Sequence, residues 1–212
     1  MSVRLSSRAW LAVAAGLLVF AFFALQLLLQ GPFTRLDHQL AQWFAAHRTG
    51  WLNAMMLFVA DAHETEKVLA ATAVLAAWRA WRHDGADLRL LAVVPAGMLV
   101  NLALKHAFQR DRPVLEDPLV HLTTYSFPSG HAVASTVFYG ALCLLAWHHA
   151  RAPGLRAAAA AGAAAMVLLV CASRVYLGAH YLSDVIAGVA VGTLCVVAFQ
   201  HWRSLGRLAP GA

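Results

Sequence analysis

The sequence predicts an all-α protein, a polytopic membrane helical bundle, and three observations carry that expectation. The chain is 61% hydrophobic and only 12% charged over 212 residues, too apolar for a soluble domain of that length. Its apolar residues gather into runs close to the 20 or so that a helix needs to cross a bilayer. Its basic residues punctuate those runs instead of forming a block. Residues 1–212 therefore read as a single integral membrane domain, with six transmembrane helices and a short interfacial helical segment between the first two.

The first run, 9–29, follows Arg4 and Arg8, a layout that also marks secretory signals. It is long enough to span, however, and Leu27-Leu28-Leu29-Gln30 offers no small-residue cleavage site, so a retained helix is expected. Runs 67–82, 90–109, 131–149 and 157–176 supply four more spans, the first of them the shortest, and 183–202 a sixth.

Between the first two spans, Leu36, Leu40, Trp43, Phe44 and His47 recur at helical spacing, with Asp37, His38, Gln39 and Gln42 between them. That pattern predicts a short amphipathic helix at the interface. Residues 51–60 are apolar but too few to cross, which predicts a helix packed at the surface or partly inserted. The alanine-rich stretch 157–165, broken by Gly162, predicts close helix packing.

Under this layout Arg4, Arg8, Arg79, Arg82, Arg89, Arg151, Arg156, Arg203 and Arg207 share one side, which the positive-inside rule makes cytoplasmic. The formal charge of +6 thus reads as topology signalling, and no basic run suggests nucleic acid as a partner. Cys143, Cys171 and Cys195 lie in apolar runs without zinc-type spacing, so buried free thiols are expected, with no disulfide and no metal.

Three polar clusters interrupt the apolar runs: Lys105 with Arg112-Pro113, Pro128-Ser129-Gly130-His131, and Ser173-Arg174 followed by His180 and Asp184. One loop joins the first to the second. The chain then crosses through 131–149 and returns through 157–176, so all three emerge on one side.

His180 and Asp184 are four apart and share a helical face. A carboxylate bound to one imidazole nitrogen aims the other as nucleophile or base, although Ser183 or Asp184 could equally cap a helix start. A helix N-terminus with glycine is an anion site, and His131 on its first turn could protonate a leaving oxygen. The same four residues also suit a simple turn with Ser129 as cap. Lys105, Arg112 and Arg174 are costly near an apolar core, and snorkelling could accommodate Lys105. Guanidinium groups can meet phosphate oxygens with paired hydrogen bonds.

The ordered set Lys105…Arg112-Pro113, Pro128-Ser129-Gly130-His131 and Ser173-Arg174…His180…Asp184 resembles the type 2 phosphatidic acid phosphatase family, also called the lipid phosphate phosphatases. The resemblance implies that His180 attacks phosphorus and forms a phosphohistidine, that Asp184 orients it, and that His131 protonates the leaving group. It also implies that Lys105, Arg112, Ser129, Gly130 and Arg174 hold the phosphate oxygens without a cofactor or metal. Implied substrates are undecaprenyl diphosphate, phosphatidylglycerol phosphate or phosphatidic acid, presented by membrane lipids on the non-cytoplasmic face of a bacterial inner membrane. Arg110, inside the first motif's spacer, reads as a solvated interface charge or an auxiliary headgroup contact. Tyr125, Phe127, Tyr176 and Tyr181 could line a lipid entrance or anchor the interface. A phosphotransferase using the same site, a haloperoxidase-like reaction and a non-catalytic anion-binding membrane protein are the competing readings.

Overall fold

A computed structural model describes residues 6–206; Arg4 and Arg207, two of the topology-setting arginines, lie outside them. Among the described residues all the regular secondary structure is helical, without strands, and falls in nine helices. The nine helices are α1 (Ser7–Leu28), α2 (Pro32–Ala46), α3 (Gly50–Ala62), α4 (Thr65–Trp81), α5 (Gly85–Leu91), α6 (Val93–Phe108), α7 (Gly130–His149), α8 (Pro153–Tyr176) and α9 (Leu182–Gly206).

Among the described residues, five segments are long and apolar enough to cross a membrane: Ala9–Leu28, Asp87–Phe108, Gly130–His149, Pro153–Tyr176 and Leu182–Trp202. The shortest expected span, α4, has 17 residues, or about 26 Å at 1.5 Å per residue, just under a typical hydrocarbon thickness. It still reaches from one end of the bundle to the other. Thr65 in its first turn lines a cavity with Lys105 and His131. Near its other end Arg79 pairs with Asp84 and Asp87 and lies 2.9 Å from His149 Nε2, where α7 stops.

The segment between the first two expected spans forms two helices, α2 and α3, of 15 and 13 residues, over the two stretches where helices are expected. The structure departs from the sequence expectation in two other places. Run 90–109 is divided at Ala92 into α5 and α6, because Pro95 has no N–H to offer the Leu91 carbonyl four residues back and its ring crowds that oxygen. The alanine-rich stretch of α8 faces outward, and a Cβ on Gly162 would meet nothing within 4 Å. Instead, α8 is buried near its C-terminal end, at Val170, Ser173, Arg174, Val175 and Tyr176.

Helix α7 is central. Val133, Val137 and Ala141 are fully buried with Leu90, Leu91, Val93 and Val94 from the α5–α6 limb and Val191 from α9. Gly188 allows α9 to approach α7 closely, since a Cβ there would stand 2.8 Å from both Ser129 O and Ala132 Cβ. The three cysteines are partly buried and free.

Candidate active site

The three polar clusters meet at the end of the bundle where α6 and α8 stop and α7 and α9 begin. Helix α6 ends because Gln109 adopts a left-handed conformation, φ 45°, ψ 36°, with its N–H closing onto Lys105 O at 2.9 Å. Lys105 in that last turn donates to Tyr125 O. The following loop folds back on itself through Ser126 N to Arg110 O at 2.7 Å.

The start of α7 is fixed from two directions. Ser129 caps the helix, its Oγ accepting from Ala132 N at 3.4 Å. Its own N–H donates to Asp184 O at 3.0 Å, tying this turn to α9. A side chain at Gly130 would come 3.2 Å from Asn101 Oδ1 and 3.9 Å from Lys105 Cε.

Arg174 lies in the last turn of α8, and its carbonyl accepts from Ala179 N at 3.0 Å and His180 N at 3.3 Å. This tight turn requires Gly178, at φ +70°, where a Cβ would also strike Leu115 Cδ1 at 2.2 Å. The turn delivers His180 next to Arg112. Arg112 Nε donates to Thr124 O at 2.6 Å, Nη1 to Ala179 O at 2.6 Å, and Nη1 lies 3.3 Å from His180 Nε2.

Behind His180 stands Asp184, fully buried. Its Oδ2 is 3.6 Å from His180 Nδ1, beyond hydrogen-bond length, so that contact is electrostatic. Ser126 Oγ fills the gap, donating to Asp184 Oδ2 at 2.5 Å and lying 3.3 Å from His180 Nδ1. Asp184 Oδ2 also accepts from Tyr181 N at 2.9 Å, just before α9. One carboxylate thus both accepts from the backbone at the start of α9 and faces His180 Nδ1.

Burial holds the His180 imidazole well below its ordinary value, at about 3; Asp184 opposes this and Arg112 adds to it. The Arg112 guanidinium is also lowered by burial, with Asp184 opposing.

Of the eight candidate residues, Lys105, Arg112, Gly130, His131 and His180 line one cavity of about 500 Å³. Ser129, Asp184 and Arg174 are buried and do not line it. His131 Nε2 is buried without a hydrogen-bond partner among the described residues. Away from the charged end the cavity is walled by Leu69, Pro95, Met98, Leu99, Leu102 and Leu122. Leu99 and Leu102 are exposed on the outside of the bundle, so this apolar limb is a groove open to the side.

Sequence reasoning misplaced several residues. Arg110 is buried, not solvated: it donates to Asp184 Oδ1 at 2.5 Å, Ser183 Oγ at 2.7 Å and Asp37 Oδ2 at 2.9 Å. Burial disfavours its charge, but Asp184 and Asp37 outweigh that and raise its pKa. Asp37, Ser126 and Ser183 were missed as neighbours of the site. Only Arg110's place on the side that the positive-inside rule keeps poor in cations could have flagged the group. None of the four flanking aromatics lines the groove. Phe127, Tyr176 and Tyr181 are buried, with Phe127 packed on Phe20 and Phe108 and Tyr176 Oη donating to Asn53 Oδ1 at 2.7 Å.

Known proteins share this architecture. Phosphatidylglycerophosphatase B of Bacillus subtilis (strain 168) is 31% identical over 151 residues, covering 69% of this chain and 73% of its own. A lipid A 1-phosphatase of Rhizobium johnstonii is 37% identical over 131 residues, 56% of this chain and 49% of its own. The crystal structure of a transmembrane PAP2 type phosphatidylglycerolphosphate phosphatase from Bacillus subtilis superposes with a TM-score of 0.80 at 26% identity, covering 91% of this chain and 96% of that one. The family model of the PAP2 superfamily matches residues 87–207, more than half the chain and all eight candidate residues, and the chain belongs to the PAP2 superfamily.

Proposed function

We propose that this protein is a membrane lipid phosphatase that hydrolyses a lipid phosphate or diphosphate through a phosphohistidine at His180. One observation carries the reading: a single cavity joins His180, His131 and two cations to a laterally open apolar groove. The polar end suits a phosphoryl group, and the groove suits a hydrocarbon tail that never leaves the membrane. The relatives' names point to the same substrate class, and undecaprenyl diphosphate, phosphatidylglycerol phosphate and phosphatidic acid are the candidates.

In the first step His180 Nε2 forms a bond to phosphorus while the bond to the lipid oxygen breaks. His131 gives its proton to that oxygen, and Lys105 and Arg112 carry the charge on the remaining oxygens. Gly130 lets the α7 N-terminus approach the phosphate, with Ser129 holding that terminus and Arg174 adding positive charge. In the second step water attacks phosphorus and gives a proton to the His131 left deprotonated by the first, the P–N bond breaks back onto His180 Nε2, and phosphate leaves with both histidines restored. The cationic side chains supply the stabilisation that a metal gives elsewhere, so activity is expected to persist in a chelator.

The bundle is read as crossing six times, with α4 as the short span and α2 and α3 at the interface. The site then lies on the non-cytoplasmic face of an inner membrane, opposite Arg79, Arg82, Arg89, Arg151 and Arg156. Purified protein in micelles with chelator should release phosphate from at least one candidate lipid, and His180→Ala should not. Activity surviving that substitution would sink the mechanism. A phosphorylated lipid acceptor in place of free phosphate would make the enzyme a phosphotransferase.

A further inference from the structure

A buried charge cluster lies behind the catalytic histidine, outside the three motifs. Arg110 bridges two carboxylates, its Nη1 on Asp184 Oδ1 at 2.5 Å and its Nη2 on Asp37 Oδ2 at 2.9 Å. The relative exposures are 7% for Arg110, 2% for Asp37 and 0% for Asp184. Asp37 is fixed in turn by Ser183, whose N–H donates to Oδ1 at 3.0 Å and whose hydroxyl bonds Oδ2. The guanidinium also stacks over Tyr181, 4.1 Å from the ring centroid. Helix α2, the loop after α6 and the start of α9 are therefore joined at one point, one residue away from the His180 contact.

Adhesion is a poor explanation for such a cluster. Removing three charges from water costs so much that apolar replacements of similar volume are often as stable. Charge balance offers a better one. Two carboxylates and one guanidinium leave one net negative charge behind His180. Arg110 alone would cancel Asp184, and Asp37 restores the charge. When Nε2 bonds to phosphorus and Nδ1 keeps its proton, the ring becomes cationic, and that negative charge then has something to stabilise. Arg110 on Oδ1 also fixes the Asp184 carboxylate so that Oδ2 faces Ser126 and His180.

We propose that Asp37 and Arg110 are positioning residues that set the orientation and net charge of Asp184, and so the rate at which His180 attacks phosphorus. This rests on the reading of His180 as nucleophile. Neither residue lines the substrate cavity, so their effect falls on kcat and not on KM.

The test uses the full-length enzyme in detergent micelles, with whichever of phosphatidic acid, phosphatidylglycerol phosphate and undecaprenyl diphosphate it hydrolyses fastest. Asp37→Asn keeps the shape and removes the charge. It should lower kcat roughly tenfold with KM within about twofold, the size expected for losing a nearby unit charge at an effective dielectric near 20. The double variant Asp37→Asn/Arg110→Gln removes both charges and returns the net charge to that of Asp184. Its kcat should exceed that of Asp37→Asn by about threefold or more, whereas a merely structural role predicts that the second change adds damage.

An Asp37→Asn enzyme with normal kcat, or a double variant no faster than Asp37→Asn, overturns the proposal. Should Asp37→Asn fail to fold, the double variant decides alone. A kcat within about tenfold of wild type supports the proposal, and a deeper loss at an unchanged thermal midpoint overturns it. An active His180→Ala removes the reading beneath the proposal, a result distinct from a normal Asp37→Asn beside an inactive His180→Ala.

Discussion

Arg112 Nη1 lies 3.3 Å from His180 Nε2. A guanidinium donates and never accepts, so the ring nitrogen facing the cavity presents its lone pair. The proton then belongs on Nδ1, toward Ser126 Oγ at 3.3 Å and the Asp184 carboxylate. One face of the imidazole is therefore set by Arg112 and the other by Ser126 and Asp184, which is the tautomer a nucleophilic Nε2 needs.

Arg112→Lys tests whether this planar, many-handed contact matters. An ammonium on a flexible stem cannot span Thr124 O, Ala179 O and His180 Nε2 while also meeting a phosphate oxygen. We expect kcat/KM to fall by about 10²–10³, as for a lost transition-state donor, with the thermal midpoint little changed. A lysine enzyme within about threefold of wild type would mean that charge alone suffices here.

The convergence of Lys105, Arg112, Gly130, His131 and His180 was legible because it follows from topology: helices crossing in alternation must deliver those loops to one side. The break at Ala92 was legible in principle too, since Pro95 states its cause locally. The Arg110–Asp37 pair was not. Its members stand 73 residues apart, and a lone aspartate between apolar residues at helical spacing has the pattern of a solvated face. Nor was the groove. Pro95, Met98, Leu99 and Leu102 recur at helical spacing, but so do apolar residues on any membrane helix, and only the neighbouring α4 makes that face a wall. The outward-facing alanines of α8 carry the related lesson that small residues permit close packing without requiring it.

The groove makes a separable prediction. Leu102 stands one turn before Lys105 and lines the apolar limb. Leu102→Trp should obstruct a long tail in the groove while leaving the polar end alone. KM for a long-chain lipid phosphate should rise about tenfold or more, equivalent to roughly 1.4 kcal/mol of lost binding. Turnover of a water-soluble short-chain analogue should be unchanged. Equal losses with both substrates would show that the tail takes another path.

The buried neutral imidazole of His180 links stability to pH with a definite sign. An unfolded histidine takes up a proton near pH 6.5, whereas folded His180 does so only near about 3, chiefly because burial disfavours the charged ring. Between those values the unfolded chain binds more protons, so stability rises with pH. The contribution is complete above about pH 6.5 and drains away as pH falls toward about 3. Other groups titrate in the same window, so the comparison with His180→Gln isolates the term. The wild-type thermal midpoint should fall more steeply than that of His180→Gln between about pH 6.5 and pH 4. Parallel curves would mean that the ring is accessible to protons in the folded protein, and its Nε2 would then lose its lone pair in mild acid.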